Sequence, residues 1–237
     1  MIQVEGIFSG GSSISAPIIG EDFNWSGGDG TYQVLDDGGS NWRIKFLSSG
    51  TFTPLKNMVI DAFLVGGGGG AGSSYCGEGG AGYTTTVRSV VLTANTAYSI
   101  VVGAAGTNGN PSSAGGETTA FTASAAGGKN TSNGTSSSKR PGGAGGSGGA
   151  GYVSPVATTT GGTDGGDGTS SATTGGKGQG TTTREFGEAA GTLYASGGGS
   201  NLTATVSNSG NGGRNGMYSI EPADGIVVIR QHKEVAA

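Results

Sequence analysis

Gly142-Gly143-Ala144-Gly145-Gly146-Ser147-Gly148-Gly149-Ala150-Gly151, with Pro141 in front, repeats every three residues. That period fits neither the α-helix nor the β-strand. It fits the extended left-handed polyproline-II-type helix, with about three residues per turn and ~3.1 Å rise. At this period Ala144, Ser147 and Ala150 share one edge, and the other two edges are bare glycine. Bare edges let neighbouring backbones approach closely, as only glycine allows. The stretch therefore predicts one member of a close-packed bundle of glycine helices, about 30 Å long at that rise. It names no chemical reaction.

Glycine supplies 54 of the 237 residues, against a usual share of about 7%. Collagen does not fit, because the repeat is broken and there are only six prolines. A flexible Gly/Ser/Thr-rich linker is the alternative. Two features weigh against it: apolar and aromatic residues interrupt the glycine runs (Tyr75, Tyr83, Tyr152, Phe186, Leu193, Tyr194), and β-strand patterns bracket the region.

Sixteen Asp and Glu stand against twelve Lys and Arg, with no basic stripe, so nucleic acid is not an expected partner. No apolar run approaches ~18 residues, so no membrane insertion is expected. Met1 to Gly6 lacks the basic start and apolar stretch of a secretory signal, which points to synthesis and folding in a cytoplasm. Cys76 is the only cysteine, so no internal disulfide can form.

Strand patterns lie outside the glycine-rich stretch. Trp42 to Leu47 alternates strictly, with Trp42, Ile44 and Phe46 on one face and Arg43 and Lys45 on the other. Thr51-Phe52-Thr53 starts a further strand, and Met58 to Val65 runs straight into Gly66. Tyr83 to Leu92 and Ala97 to Val102 follow, with Asn95 at the turn between them. Gly115 to Phe121 suggests a short strand, and almost no strand signal appears from Lys129 to Gly216. Gly225 to Arg230 reads as a buried closing strand. The expected fold is mainly β: a β-sandwich-like framework with an inserted bundle of polyglycine-II (polyproline-II-type) helices. Residues 32–237 form this unit, and residues 1–31 are an N-terminal attachment or extra-strand segment.

Trp42 to Thr53, followed by Asp61-Ala62-Phe63-Leu64-Val65 and Gly66 to Gly70, resembles the glycine-rich domain of bacteriophage tail-fibre and receptor-binding proteins. Asp224 to Arg230 is similar to the closing strand of that domain, so the resemblance covers roughly residues 32–230. The glycine-rich ectodomain of the anaplastic lymphoma kinase receptor family also resembles Phe63 to Gly72. That family is secreted and disulfide-bonded, whereas this chain has one cysteine and shows no signal pattern in its first residues. The phage resemblance implies a place in the virion tail and recognition of the bacterial host surface, through a surface glycan or an outer-surface protein. Other tail proteins are implied as further partners. Tail fibres are often trimers, and a homotrimer stays open, although no heptad repeat requires one. A structural virion part, or a prophage-encoded surface protein with a spacer or display role, is the alternative function.

No enzyme is expected. His232 is the only histidine, past the last strand in a tail expected to fray, and no Ser/His/Asp set forms around it in sequence. The carboxylates Asp22, Asp36, Asp37, Asp61, Glu185 and Glu188 show no pairing by spacing. Thr163-Asp164-Gly165-Gly166-Asp167-Gly168 is one copy of a weak calcium-like pattern, and ordinary turns use Asp-Gly freely. Neither metal nor cofactor is expected. Glycine segments must reverse direction, and the reversals carry the larger side chains, where function concentrates. Aromatic residues in such loops give contact area at low entropy cost. The expected binding residues are Tyr75, Tyr152, Phe186, Tyr194 and Tyr218, with Lys139, Arg140 and Arg184 as polar partners. The same aromatics would serve equally to plug the ends of the bundle.

Overall fold

The computed structural model describes residues 16–38, 41–135, 138–152, 160–170, 173–214 and 219–232. Strands β1 (Phe23–Trp25), β4 (Gly50–Pro54), β7 (Tyr98–Val101), β8 (Thr118–Ala120) and β9 (Ala123–Ala125) form one sheet in that order. Strands β2 (Tyr32–Gly38), β3 (Asn41–Phe46), β10 (Ile226–Gln231), β5 (Met58–Val65) and β6 (Thr84–Leu92) form the second. Strand pairing is antiparallel in both. Strand β1 falls within residues 1–31.

The alternation read in Trp42 to Phe46 sets the inner face. Ile44, Phe46, Ile60, Ala62, Leu64, Val227 and Ile229 meet Phe23, Phe52 and Ile100 of the facing sheet, all nearly or fully buried. Phe46 and Phe52 cross edge to face with ring centroids 5.5 Å apart, a favourable arrangement for aromatic quadrupoles. This is a sandwich core of the usual kind.

The central strands of the second sheet, β5 and β10, are buried on their other face too. Phe63, Val65, Ile226 and Val228 point away from the sandwich and pack on Ala81, Phe186, Tyr194 and Ala195. That explains why Met58 to Val65 and Gly225 to Arg230 read as apolar runs rather than alternations. The sheet is a middle layer, with its partner sheet on one side and the glycine-rich segments on the other.

Those segments are hydrogen-bonded to one another. Gly66, Gly67 and Gly68 donate to Tyr83, Gly116 and Ala223; Gly69 and Gly70 then donate to Gly80 and Ser113. In the next segment Glu78, Gly79 and Gly80 donate to Ala150, Gly213 and Lys129, and Ala81, Gly82 and Tyr83 donate to Ser147, Gly210 and Ala126. Every third donor returns to the same neighbour. A chain with three residues per turn produces that pattern, whereas a strand has neighbours on only two sides.

Two expectations are corrected. Residues 142–151 do not run straight: the chain bends at 145–147, and Gly149 N–H donates to the Gly143 carbonyl at 2.8 Å. The repeat is two short arms lying side by side. Its period continues through the bend because Gly-Gly-Ser permits a reversal without any change in composition. His232 does not fray. Its N–H donates to Val59 O at 3.0 Å, extending the β10–β5 ladder by one bond.

Candidate functional site

Two groups of side chains stand out: a charged cluster on the outer face of the middle sheet, and a partly exposed aromatic pair among the glycine segments.

The charged cluster grows from a β-bulge. In the β5–β6 pairing Ile60 faces Val90 and Ala62 faces Val87, so Asp61 alone opposes Arg88 and Ser89. Ser89 takes φ +57° there, and its N–H donates to Asp61 Oδ1 at 3.2 Å. Asp61 is completely buried. Its Oδ2 accepts from Arg88 Nη1 at 3.1 Å and from Arg230 Nε and Nη2 at 3.2 Å, and Oδ1 lies 2.6 Å from His232 Nδ1. Burial alone would raise the Asp61 carboxyl. The hydrogen bonds from His232, the Ser89 amide and Arg230 outweigh it and hold the group below its ordinary value.

Ser89, His232 and Asp61 thus meet, although nothing in their spacing announces it. Ser89 Oγ lies 3.0 Å from His232 Nε2 and 3.5 Å from Nδ1. An oxygen on the Nε2 lone-pair axis would be much farther from Nδ1. The hydroxyl therefore sits beside the ring, off the line along which a base takes a proton. In this arrangement the imidazole braces Asp61.

Residues 184–196 fold over this face. Arg230 stacks on the Phe186 ring, 4.1 Å from guanidinium carbon to centroid, and its Nη2 lies 2.7 Å from Glu188 Oε1. Phe186 holds φ +56°, and its carbonyl accepts from Arg88 Nη2 at 2.7 Å. Glu185 Oε1 accepts from Arg43 Nη1 at 2.8 Å; Arg43 also forks onto Asp37, with both bonds under 3 Å. A cavity of about 340 Å³ opens between this loop and strands β2, β3 and β10, with Glu185, Arg43 and Arg230 in its wall.

Phe186 and Tyr194 are therefore core residues: they are 3% and 6% exposed and pack on Phe63 with ring centroids 6.0 and 5.5 Å away. The expectation that they project from a surface loop is corrected. The outer face of the middle sheet needs apolar cover, and small glycine segments cannot supply it. Burial, and then the negative charge of Glu185, pushes the Tyr194 phenol above its ordinary value. Arg184 is also tied down, through Asp164 Oδ2 at 3.3 Å and Gly191 O at 3.1 Å. Asp164 and Asp167 anchor their own segment, accepting from the Thr183 and Gly178 amides. Cys76 is half-buried, and burial pushes its thiol up to about 11.

The other group brings together Tyr75, Tyr152, Lys139 and Arg140. Tyr75 and Tyr152 meet with centroids 5.7 Å apart, and Lys139 Nζ lies 5.6 Å over the Tyr152 ring. Arg140 N–H donates to Tyr75 O at 3.1 Å. The chain around residues 75, 139–140 and 152 converges here. Tyr75 is 43% exposed and sits in the left-handed region at φ +47°; Lys139 and Arg140 are exposed. Tyr75 lies between the arms 66–70 and 78–83, which lead away from β5 and back to β6, so the pair stands at the end of the glycine layer remote from those strands. Tyr218 lies outside the described residues.

Sequence reasoning placed Tyr75, Tyr152, Lys139 and Arg140 among the candidates and missed the role of Asp61, Glu185, Arg230 and His232. The available signal was a lone aspartate inside an apolar strand, which demands a buried counter-charge. A family model described as a glycine-rich domain matches residues 47–230. No curated protein matches the chain.

Proposed function

Because this chain belongs to the glycine-rich domain family, its role lies in what such a scaffold can present, and we propose that it is a bacteriophage tail-fibre or tail-tip protein that recognises the bacterial host surface. In this reading the glycine segments are polyglycine-II-type helices, and their remote reversals form the recognition surface. The period-three donor pattern supports the helix assignment.

The observation that carries the reading is the Tyr75–Tyr152 pair with Lys139 above it. Partly exposed tyrosines on a rigid base lose little entropy on binding and offer ring area and hydroxyls to a glycan or a protein loop. The pair joins separate reversals, so the hydrogen-bonded arms beneath hold its geometry.

The test is binding of the labelled full chain to a panel of intact bacterial strains, compared with Tyr75→Ala/Tyr152→Ala. The expected result is binding to at least one strain, weakened at least about tenfold in the double variant, equivalent to ~1.4 kcal/mol. The double variant should stay folded with a modest loss of melting temperature, because Tyr75 is 43% exposed and Tyr152 half-buried. Equal binding by a folded double variant would overturn the assignment and favour a spacer role. So would a chain that binds no strain.

A further inference from the structure

Between Glu117 and Asp164 the chain has no Asp or Glu, yet it carries Lys129, Lys139 and Arg140, in a molecule whose acidic residues outnumber its basic ones. Such a local excess of one sign selects partners of the other. Two of these cations stand at the tyrosine pair. Arg140 is pinned at three points. Its N–H donates to Tyr75 O at 3.1 Å, its carbonyl accepts from Thr173 Oγ1 at 3.4 Å, and its Nε donates to Asn133 O at 3.4 Å. Asn133 Oδ1 in turn accepts from the Ser73 amide at 2.6 Å. The Nη1 and Nη2 ends of the guanidinium stay outside this web, with no hydrogen-bond partner among the described residues. Nor does any carboxylate there lie within ion-pair distance of Arg140 or Lys139, whereas Arg43, Arg88, Arg184 and Arg230 each hold one.

We propose that this patch binds an acidic saccharide, with the ligand's carboxylate or phosphate on the Arg140 fork and a sugar face against the Tyr75 ring. A guanidinium fork matches either anion with two parallel, charge-assisted hydrogen bonds. Lys139, the next residue and also exposed, adds to the positive potential. Tyr75, 43% exposed, offers apolar ring area beside a hydroxyl, which suits a sugar ring. Ser73, Ser74 and Ser138 are exposed around it and can pair with sugar hydroxyls. An acidic peptide would use the same fork. The described loops around Tyr75, Arg140 and Tyr152 contain no strand for its backbone to pair with, so the saccharide is the better fit.

This inference rests on the host-surface reading and deepens it, naming the chemistry that the tyrosine pair's site would take. The experiment titrates four probes into the isotope-labelled full chain at low salt: tetragalacturonate, its methyl ester, a phosphomannan oligosaccharide and poly-glutamate. The amides of Tyr75, Lys139 and Arg140 should shift saturably with tetragalacturonate, the phosphomannan or both, and the responding arm identifies the anion. The uncharged methyl ester should bind at least about tenfold more weakly than tetragalacturonate wherever the latter binds, the scale of losing a hydrogen-bonded charge. Lys139→Gln/Arg140→Gln should show a similar loss and keep the wild-type melting temperature, because both side chains are exposed. Tyr75→Ala should weaken saccharide binding as well. Absence of saturable shifts with both acidic saccharides would overturn the proposal, as would unchanged binding in the folded Lys139→Gln/Arg140→Gln variant. Poly-glutamate binding as tightly as either saccharide would also overturn it, in favour of an acidic peptide. The two readings fail separately. Cell binding lost in the tyrosine double variant but kept in Lys139→Gln/Arg140→Gln would remove the acidic saccharide and leave host recognition intact. A chain that takes an acidic saccharide yet binds no strain would do the reverse.

Discussion

Asp61 stands in the middle of an apolar strand, fully buried, with both oxygens used. Arg230, 7% exposed, draws its counter-charge from Asp61 and from Glu188. An Asp61→Asn variant keeps the shape and removes the charge. It should cost about 3–5 kcal/mol, as removing one member of a buried ion pair does, measured by urea denaturation. The pH dependence has a definite sign. The folded-state carboxyl lies below its unfolded value near 3.8, so its contribution is fully present above that value and is lost as pH falls through the folded one. Wild type should therefore lose stability steeply below about pH 4, and the part of that loss due to Asp61 should vanish in the variant. A buried charge at position 61 was legible in sequence as a problem needing a partner. Its solution was not, because Arg230 and His232 join it only when the closing strand pairs with β5.

At the scale of elements, the strands were readable because their chemistry is local. Met58–Val65 carries a run of apolar residues ended abruptly by glycine, and Asn41–Phe46 alternates faces. The fold-back of residues 142–151 was not readable, since glycine and serine encode the arm and the bend in the same letters. Phe186 and Tyr194 were misread for a related reason: aromatic residues between glycine runs look the same whether they cover a sheet face or meet a partner. The period-three arms make a sharp prediction. A Cβ on Gly145 would overlap the Ala81 carbonyl oxygen, which belongs to the backbone of an adjoining arm and has no room to retreat. Gly145→Ala should cost at least about 3 kcal/mol by chemical denaturation, at the upper end of overpacking penalties. Ala144→Ser, one residue away at a position that already carries a side chain and is only partly buried, should stay within about 0.5 kcal/mol.

The described residues form a layered stack: a β-sheet, a second sheet whose central strands are buried on both faces, and a hydrogen-bonded glycine layer that brings Tyr75, Tyr152, Lys139 and Arg140 together. Glycine pays the largest entropy cost on ordering and buries almost no apolar area, so the layer stands only if its backbone donors are nearly all engaged. Each arm meets that demand by bonding several neighbours rather than two. The central claim is thus that this glycine layer is a folded part of the structure and not a linker between strands. Native-state hydrogen exchange tests it most directly, at the amides of Gly67, Gly68, Gly80, Gly145, Gly146 and Gly149, each of which donates to a different segment or arm. The account predicts protection comparable to that of the β5 and β10 amides, whereas complete exchange of these six within seconds, with β5 and β10 still protected, would contradict it.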